Sequence, residues 1–371
     1  MSTSSPELYI GLMSGTSMDG IDAVLVDLSS EQPRLISTHA HPWPEHIQQA
    51  LIKARDLPDS ELSSLHELDI QTAKIFADAS LTLLEKTSHK AQDITAIGNH
   101  GQTIRHRPDI KKPFSLQIGD AKTLAISSGI DVVSDFRTAD IKAGGQGAPL
   151  VPAFHQAVFR NEKANRVIVN IGGIANITVL PKDKNQSVIG FDCGPGNALM
   201  DAWVTLHKQQ PYDSDGAFAA SGKTNAGLLA RLLMDDYFQL APPKSTGFEY
   251  FNLEWLNKHD LNETGSADIQ STLNDLTATS IMRAINQYAE STDEIFICGG
   301  GVHNRTLMQR LQTMTRCSVE TTEPLGIHPD WVEAMAFAWL AHQNIHQETG
   351  NLSAVTGASK SVILGDLTHT N

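Results

Sequence analysis

Asp192, an aspartate in the middle of the chain, is the residue whose type and position point most directly to catalysis. It follows an apolar run, Ser187 to Phe191, that predicts a buried strand, and a glycine-rich turn then leads into a helix. Ligands of open α/β sheets gather at the carboxyl ends of strands, where a carboxylate can take a proton from a hydroxyl or from water. The alternative, a helix N-cap, fits Asn197 better, because Asn197 stands immediately before the helix. We therefore predict that Asp192 is a general base.

A glycine-rich turn near the N-terminus, Gly15-Thr16-Ser17-Met18-Asp19-Gly20, has the composition of a phosphate-binding loop. The apolar runs 8–13 and 21–26 flank it, and together they predict a β-hairpin rather than a strand that feeds a helix. Glycines let the backbone approach phosphate oxygens, hydroxyls add donors, and Asp19 and Asp22 could hold Mg²⁺ through water. By itself the segment favours an ordinary glycine-rich turn, because such turns are common.

Two further glycine turns favour a nucleotide site. The apolar runs 166–171 and 177–180 flank Gly172-Gly173-Ile174-Ala175-Asn176, so each half of the chain opens with a strand, a glycine turn and a strand. The strand 294–298 leads through three glycines into a helix, a junction that suits the nucleoside end of ATP, although close helix–strand packing explains it as well. The residues predicted to contact the nucleotide at these two turns are Gly172, Gly173, Asn176, Gly299, Gly300, Gly301 and Asn304, the last also a candidate N-cap.

Polar side chains near a short strand, 94–98, and in the segment that follows it suit a sugar hydroxyl or a substrate carboxylate. An arginine among them could pair with a carboxylate through its planar guanidinium group. Buried ion pairs, helix caps or a buried histidine would explain each of them about as well. The residues that we predict to bind the substrate are His100, Gln102, Thr103, Asp120, Arg137, Asp140 and Glu333, with Gln117 as a further polar candidate.

The elements that must position these residues alternate between strands and helices, which indicates an α/β fold. Apolar spacing predicts helices at 61–88, 198–206 and 268–289, and short apolar runs predict strands at 94–98 and 132–134. The length of 371 residues fits two domains. A glycine- and proline-rich bend at 144–149 lies near the expected boundary. We expect a first lobe of residues 1–140, completed by 346–371, and a second lobe of residues 141–345.

Composition excludes several classes of protein. The net charge of -14 disfavours nucleic acid and anionic membranes as partners. Three cysteines argue against a disulfide framework, and no apolar run approaches the ~18 residues that span a bilayer, so we expect a cytoplasmic protein. The 15 histidines contain no H-E-x-x-H pattern, and no metal site is predicted. The segments 222–224 and 213–216 match a P-loop and a calcium loop only in part.

Several of these segments together resemble the anhydro-N-acetylmuramic acid kinase family over residues 8 to 366. The resemblance rests on GLMSGTSMDG (11–20), NHGQT (99–103), QIGD (117–120), DFR (135–137), GGIAN (172–176), FDCGPGN (191–197) and EAMAFA (333–338). It implies a two-lobed actin-like ATPase (ribonuclease H-like) fold with an interdomain cleft. ATP, with Mg²⁺, would phosphorylate O6 of 1,6-anhydro-N-acetylmuramic acid while water opens the anhydro ring at C1. The product would be N-acetylmuramic acid 6-phosphate, in peptidoglycan recycling.

The resemblance also implies roles for individual residues. Asp192 would activate the water, and Arg137 and Glu333 would contact the sugar. The sequence departs from the family pattern at Cys193, where a threonine is expected. A homodimer is an expectation from the family alone. The residues implied to contact the nucleotide at the N-terminal turn are Gly15, Thr16, Ser17, Met18, Asp19, Gly20, Ile21 and Asp22.

Two other functions are compatible with the same motifs. Another actin-like sugar kinase could act on a plain hydroxyl, which Asp192 would deprotonate directly. An ATP-binding interaction protein, such as a filament former, would use the glycine turns without turnover. The position of Asp192 argues against the second alternative, because a protein that only binds ATP needs no base there.

Overall fold

The computed structural model of the chain describes residues 6–15, 17–108, 110–261, 264–289 and 291–371. Contacts divide the chain into two compact units: unit 1 contains Met1–Val158 and Trp331–Asn371, and unit 2 contains Phe159–Asp330. Each unit combines a β-sheet with packed helices, so the predicted α/β class is confirmed. Among the described residues, no helix is long and apolar enough to cross a membrane.

Unit 1 is formed by the two ends of the chain. Its strands are β1 (Leu8–Ser14), β2 (Gly20–Asp27), β3 (Arg34–Pro42), β4 (Ile94–Arg107), β5 (Phe114–Ile118), β6 (Val132–Ser134) and, near the C-terminus, β12 (Asp366–Thr368). Its helices are α1 (Glu45–Arg55), α2 (His66–Glu85), α3 (Ala121–Ser128), α4 (Thr138–Lys142), α5 (Val151–Phe159), α12 (Val332–Ile345) and α13 (Ser353–Thr356), and α5 reaches one residue into unit 2.

Unit 2 is a continuous segment. Its strands are β7 (Arg166–Ile171), β8 (Ile174–Leu180), β9 (Ile189–Pro195), β10 (Glu294–Cys298) and β11 (Ser318–Thr321). Its helices are α6 (Ala198–Lys208), α7 (Ala217–Ser221), α8 (Ala226–Leu232), α9 (Leu253–Asn257), α10 (Ser266–Tyr288) and α11 (Arg305–Thr313).

The two sheets share one topology. In unit 1 the order is β3-β2-β1-β4-β6, extended by β12, with β5 paired to β4. In unit 2 the order is β9-β8-β7-β10-β11. In both, the first three strands in sequence pair antiparallel, and the next two main strands continue the sheet parallel to the first. This repeated arrangement is the ribonuclease H-like pattern of the predicted actin-like fold, and it confirms that a hairpin opens each half.

Strand β1 shows how unit 1 is packed on both faces of its sheet. Successive side chains of a strand point to opposite faces, and Ile10 and Leu12 lie in the same apolar cluster as Phe76 of α2. On the other face lies α12, and a Cβ on Gly11 would sit 1.9 Å from the carbonyl oxygen of Ala334. Glycine is therefore required at this position for α12 to approach the sheet.

Helix α10 occupies the corresponding central place in unit 2. Its apolar residues, among them Leu273, Leu276 and Ile281, lie in one cluster with the strands β7 to β10. The Thr277 hydroxyl lies 3.0 Å from the carbonyl oxygens of both Pro195 and Gly196. The helix therefore also supports the turn that follows β9.

Several predicted boundaries differ from the structure. The helix predicted at 61–88 is α2, which begins at His66 after a 3₁₀ segment, and the strand at 94–98 continues to Arg107 as β4. The strand that carries Asp192 begins and ends later than predicted, so Asp192 lies inside β9. The predicted lobe boundaries differ from those of the two compact units, because 141–158 and 331–345 belong to unit 1. The buried face of α12 explains the second difference, since it packs against β1.

Candidate active site

The tip of the first hairpin, between β1 and β2, is held by side chains from its own unit. The Gln102 side chain donates to the Gly15 carbonyl at 3.1 Å, and the Gln48 side chain donates to the Met18 carbonyl at 2.8 Å. The Ser14 hydroxyl lies 2.8 Å from the Gly20 carbonyl and 2.7 Å from Oε1 of Gln102. Three carbonyl oxygens of the hairpin are thus bound within unit 1, an arrangement that suits a loop whose N–H groups bind an anion.

The residues of the first hairpin differ strongly in exposure. Met18 is fully buried and has a positive φ of 55°, so it anchors the tip rather than offering its side chain to a ligand. Ser17 and Asp19 are exposed, and the Ser17 hydroxyl donates to the Asp19 carboxylate at 2.8 Å. Ile21 is fully buried, and Thr16 lies outside the described residues.

The second hairpin, between β7 and β8, is held by the start of α6. The backbone amides of Gly196 and Ala198 donate to the Gly173 carbonyl at 2.9 and 3.1 Å, and that of Asn197 donates to the Gly172 carbonyl at 2.8 Å. The Asn197 side chain donates to the Ile171 carbonyl at 3.2 Å. The glycine carbonyls are bound here as in the first hairpin, although backbone amides replace side chains.

Asp192 lies opposite Asn176 of β8, close to the second hairpin. Its Oδ2 accepts a hydrogen bond from the Thr246 amide at 2.9 Å, and its carbonyl accepts one from the Tyr237 hydroxyl at 2.7 Å. The Asp192 amide donates to the Lys244 carbonyl at 3.2 Å. The backbone and carboxylate of the predicted base are therefore held by the segment 237–246.

Lys244 and Tyr237 also belong to the surroundings of Asp192, although neither was predicted from the sequence. Lys244 is 8% exposed, its ammonium donates to the Tyr237 carbonyl at 3.1 Å, and it lies 4.6 Å from the centre of the Tyr237 ring. Burial lowers the pKa of Lys244, while Cys193 and Asp192 oppose that shift. Burial, and then the charge of Asp192, raise the pKa of Tyr237. A lone lysine and a lone tyrosine in an irregular segment carry no sequence signal for this role.

Cys193 points away from the side of β9 that carries Asp192. Phe191 and Cys193 both belong to the apolar cluster of unit 2, and Cys193 is only 3% exposed. Burial, and then the neighbouring Asp192 charge, raise the pKa of the thiol. The departure from the expected threonine therefore alters the core beneath the strand rather than the face of β9 that carries the carboxylate.

The third turn, Gly299 to Gly301, joins β10 to α11. Asn304 is the N-cap of α11, since its side chain accepts from the Leu307 amide at 3.0 Å, which confirms one of its two predicted roles. A Cβ on Gly299 would lie 2.4 Å from the Asn170 side-chain oxygen, and one on Gly301 would lie 2.4 Å from Ile171. Close packing therefore accounts for these two glycines.

One glycine of each turn has a different environment. A Cβ on Gly15 would meet Ser17 at 3.5 Å, one on Gly172 would meet the Ile174 carbonyl at 3.8 Å, and one on Gly300 would meet Asn197 at 3.8 Å. These are ordinary van der Waals distances, so a methyl group at any of the three positions would not collide with the described part of the protein. Packing within the protein therefore does not account for glycine at these three positions.

Arg137 and His100 form the centre of a polar network in unit 1. One guanidinium nitrogen of Arg137 lies 2.8 Å from Nε2 of His100, and another donates to the Gly147 carbonyl at 2.7 Å. The Nδ1 atom of His100 lies 2.8 Å from the Gly101 carbonyl. Burial, and then the Arg137 charge, lower the pKa of His100 to about 3. This histidine is therefore neutral, and its Nε2 accepts a hydrogen bond from Arg137.

A second polar group lies on the hairpin of β4 and β5. The Gln117 side chain donates to the hydroxyls of Thr103 and Ser115 at 3.1 and 2.8 Å, and Nδ1 of His106 lies 3.0 Å from the Ser115 hydroxyl. Burial, and then the charge of Arg137, lower the pKa of His106 to about 3. The structure thus joins Thr103 and Gln117 in one group and adds Ser115 and His106 to it.

Three other predicted substrate residues have clear roles within the fold. Asp120 caps α3 by accepting from the Thr123 amide at 2.7 Å. Asp140 is fully buried and accepts hydrogen bonds from the Gly147 amide at 2.8 Å and from the Asn351 and Thr356 side chains at 2.6 and 2.7 Å. Gly147 therefore links Asp140 to Arg137, which donates to the Gly147 carbonyl.

Gln102 is also fully buried, and it supports the first hairpin. Glu333 is half-buried in the first turn of α12, and Asp22 lies in β2 next to the first hairpin.

Comparison with known proteins assigns the family. The family model described as anhydro-N-acetylmuramic acid kinase matches residues 7–370. An anhydro-N-acetylmuramic acid kinase of Shewanella frigidimarina is 52% identical over 365 residues, covering 98% of each chain. One of Coxiella burnetii is 49% identical over 361 residues, covering 97% of this chain and 96% of the relative. A solved ROK-family glucokinase from Streptomyces griseus aligns with 91% of this chain and 99% of its own at 12% identity and a TM-score of 0.40. The chain belongs to the anhydro-N-acetylmuramic acid kinase family.

Proposed function

We propose that this kinase transfers the γ-phosphoryl group of ATP to O6 of 1,6-anhydro-N-acetylmuramic acid while water adds to C1. The C1–O6 bond breaks, O6 receives the phosphoryl group, and the products are N-acetylmuramic acid 6-phosphate and ADP. The observation that carries this proposal is the position of Asp192, a carboxylate held by Thr246 in the strand beside the second hairpin. Peptidoglycan recycling would consume the product.

The base has one proton to remove in this reaction. The bridge oxygen leaves C1 and becomes the phosphoryl acceptor, so no separate hydroxyl needs deprotonation. Asp192 takes a proton from the attacking water, and the resulting hydroxyl stays on C1. The hydrogen bond from the Thr246 amide orients the carboxylate for this step, which is how a positioned base contributes to catalysis.

The nucleotide is held by backbone more than by side chains. We assign the phosphates to the first and second hairpins and the nucleoside to the third turn, because Gly15, Gly172 and Gly300 leave their backbone open to close approach. Phosphoryl transfer depends on positioning and charge neutralisation. Mg²⁺ enters with ATP, and the exposed Asp19 carboxylate, with Asp22, offers the oxygen ligands it prefers.

The sugar is assigned to the polar network of unit 1. Arg137 presents a guanidinium group whose orientation is set by His100 and the Gly147 carbonyl, and it would pair with the lactyl carboxylate of the muramic acid. Thr103, Gln117 and Glu333 would bind sugar hydroxyls or the acetamido group. Asp140, Asp120 and Gln102 are proposed to position these elements.

Labelled water tests the proposed reaction directly. With ¹⁸O-water, ATP and the anhydro sugar, one ¹⁸O atom should appear on C1 of the product and none in the phosphate bridge. Tandem mass spectrometry of the product, with fragment ions that separate C1 from the phosphorylated C6 end, measures both positions. A product without label on C1 would contradict the coupled mechanism and favour transfer to a plain hydroxyl.

We also propose where the enzyme acts and how many chains it contains. An enzyme that consumes ATP needs the cytoplasmic ATP pool, so we place it there, and we propose a homodimer, as expected for the family. Sedimentation velocity of the purified protein measures the assembly. A single species with the mass of one 40.3 kDa chain would contradict the dimer.

A further inference from the structure

Two histidines at the end of α12 and a glutamate before β1 converge on the surface of unit 1. Nε2 of His346 lies 2.9 Å from Oε2 of Glu7, and Nε2 of His342 lies 3.5 Å from the same oxygen. One possible ligand atom from each residue lies within 4.8 Å of the other two. None of the three residues belongs to the nucleotide or sugar assignments above.

We propose that Glu7, His342 and His346 bind a divalent transition metal such as Zn²⁺. Residues four positions apart on a helix project from the same face, which places the two imidazoles side by side with ring centroids 4.2 Å apart. Zinc binds imidazole nitrogen and carboxylate oxygen at about 2.0–2.2 Å, so neighbouring ligand atoms in a tetrahedral site lie about 3.3–3.5 Å apart. Of the two observed distances, 3.5 Å lies at the upper end of that range and 2.9 Å lies below it.

The surroundings of His342 match those of a metal-binding histidine. Its Nδ1 lies 3.2 Å from Oε1 of Gln343, and the Gln343 side chain in turn donates to Glu348 at 2.9 Å. An amide oxygen can only accept, so Nδ1 carries the proton and Nε2 keeps the lone pair that a metal needs.

The three proposed ligands differ in how firmly they are held. The backbone of Glu7 is fixed on both sides, since its amide donates to Asp27 at 3.3 Å and its carbonyl accepts from the Leu28 amide at 2.9 Å. His342 packs edge-on against the buried ring of Tyr9. The side chain of His346 is 42% exposed, which leaves room for water as a fourth ligand.

The proposed metal would link the two ends of the chain. Glu7 and His346 are 339 positions apart in sequence, and a bound ion would tie the start of β1 to the end of α12. An ion that binds only the folded chain stabilises it by mass action. The H-E-x-x-H motif does not describe this group, because its two histidines have an H-x-x-x-H spacing and its glutamate comes from the other end of the chain.

Titration of tag-free, EDTA-treated protein with Zn²⁺ and Co²⁺ tests the proposal. We expect one ion per chain by calorimetry, visible absorption from Co²⁺ in a low-symmetry site, and a rise in Tm with Zn²⁺. His346→Gln and Glu7→Gln should each weaken Zn²⁺ binding at least about ten-fold and remove the rise in Tm. Gln343→Ala should weaken it about ten-fold through the orientation of His342.

His369→Gln is the matched control. It removes another histidine of unit 1 that contacts a carboxylate, Asp131, at 2.7 Å, and it should leave Zn²⁺ binding unchanged. Because the His346 side chain is exposed, His346→Gln should fold normally, and its Zn²⁺ affinity tests the proposal even if Glu7→Gln is unstable. Fewer than one ion per chain, or equal affinity in the wild type and His346→Gln, would show that His346 and Glu7 form only a direct hydrogen bond.

Discussion

The backbone amide of Thr246 donates a hydrogen bond of 2.9 Å to Oδ2 of Asp192, 54 positions earlier in the chain. The same segment contributes the Lys244 carbonyl, which accepts from the Asp192 amide, and the Tyr237 hydroxyl, which donates to the Asp192 carbonyl. The orientation of the proposed base therefore depends on a segment in which neither composition nor spacing suggested a function.

Asp192→Asn should abolish phosphorylation of the anhydro sugar without preventing ATP binding. The amide keeps the size of the carboxylate and can still accept from Thr246, but it cannot take a proton from water. Loss of a general base costs about 10²- to 10⁴-fold in rate. Turnover measured by ADP release, with ATP affinity from calorimetry, separates the two effects. Turnover near that of the wild type would refute the role of Asp192.

Gly15→Ala should impair ATP use and leave the fold intact. The new methyl group would have an ordinary contact with Ser17 at 3.5 Å, so Tm should change little, but it would obstruct a phosphate against the backbone. We expect KM for ATP to rise at least about ten-fold, since a misplaced phosphate loses more than one good hydrogen bond. An unchanged KM would place the phosphates elsewhere.

Gly11→Ala provides the contrasting variant on the same hairpin. Its methyl group would collide with the Ala334 carbonyl of α12. The variant should lose about 1–3 kcal/mol or more of unfolding free energy, as expected for overpacking. Urea unfolding of both alanine variants measures this contrast, and a stable Gly11→Ala protein would contradict the tight packing of α12 on β1.

Arg137→Lys should weaken binding of the sugar more than that of ATP. Lysine keeps the charge but cannot bond His100, the Gly147 carbonyl and a carboxylate in one plane. We expect KM for the sugar to rise about ten-fold or more with little change in KM for ATP. Arg160→Lys is the control, because Arg160 donates to the carbonyls of Pro181 and Asp183 in unit 2. Equal effects of both variants on the sugar would argue against a substrate contact.

Cys193→Thr, which restores the expected family residue, should have little effect on kcat. The side chain at 193 faces the apolar cluster of unit 2, so a hydroxyl there would not reach the Asp192 carboxylate on the opposite face of β9. We expect kcat within about two-fold and a change in stability of about 1 kcal/mol, typical of one buried hydroxyl. A change in kcat of ten-fold or more would show that this position communicates with the base.

Lowering the pH should reduce the free energy of unfolding over a range that is set by the pKa values of buried histidines. Burial is the first cause that lowers the pKa values of His100, His106 and His155, each to about 3, whereas an unfolded histidine titrates near 6.5. Between these values the unfolded chain binds more protons, so stability falls as pH drops from about 6.5 towards 3. Each histidine lowers the free energy of unfolding by up to about 1.4 kcal/mol for each pH unit within this range.

The pH dependence of His155→Gln isolates one of these contributions. Whatever its effect on absolute stability, the variant should reduce the slope of unfolding free energy against pH by about one proton between pH 6 and 4.5. Denaturant titrations across that range provide the slope. An unchanged slope would mean that His155 is protonated in the folded state.

Local patterns predicted much of the fold. The apolar runs on either side of Gly15 and Gly172 are the hairpins β1–β2 and β7–β8, and the glycines after β10 form the third turn. Unit boundaries were less predictable, because α12 joins unit 1 through contacts of Ala334 with Gly11. That packing depends on residues more than 300 positions apart, which no local pattern encodes.

The amino-acid sequence by itself determined the chemistry of this protein: an aspartate beside a glycine turn, two phosphate-type hairpins and a set of motifs that identify the family. Only the tertiary structure decided which of the predicted polar residues have their partners within the fold. Gln102, Asp120 and Asp140 have the same residue types as substrate contacts, yet they bind the first hairpin, cap α3 and hold the Gly147 loop. The reason is physical: a side chain's type sets which bonds it can form, whereas its partners are set by the long-range packing that surrounds it.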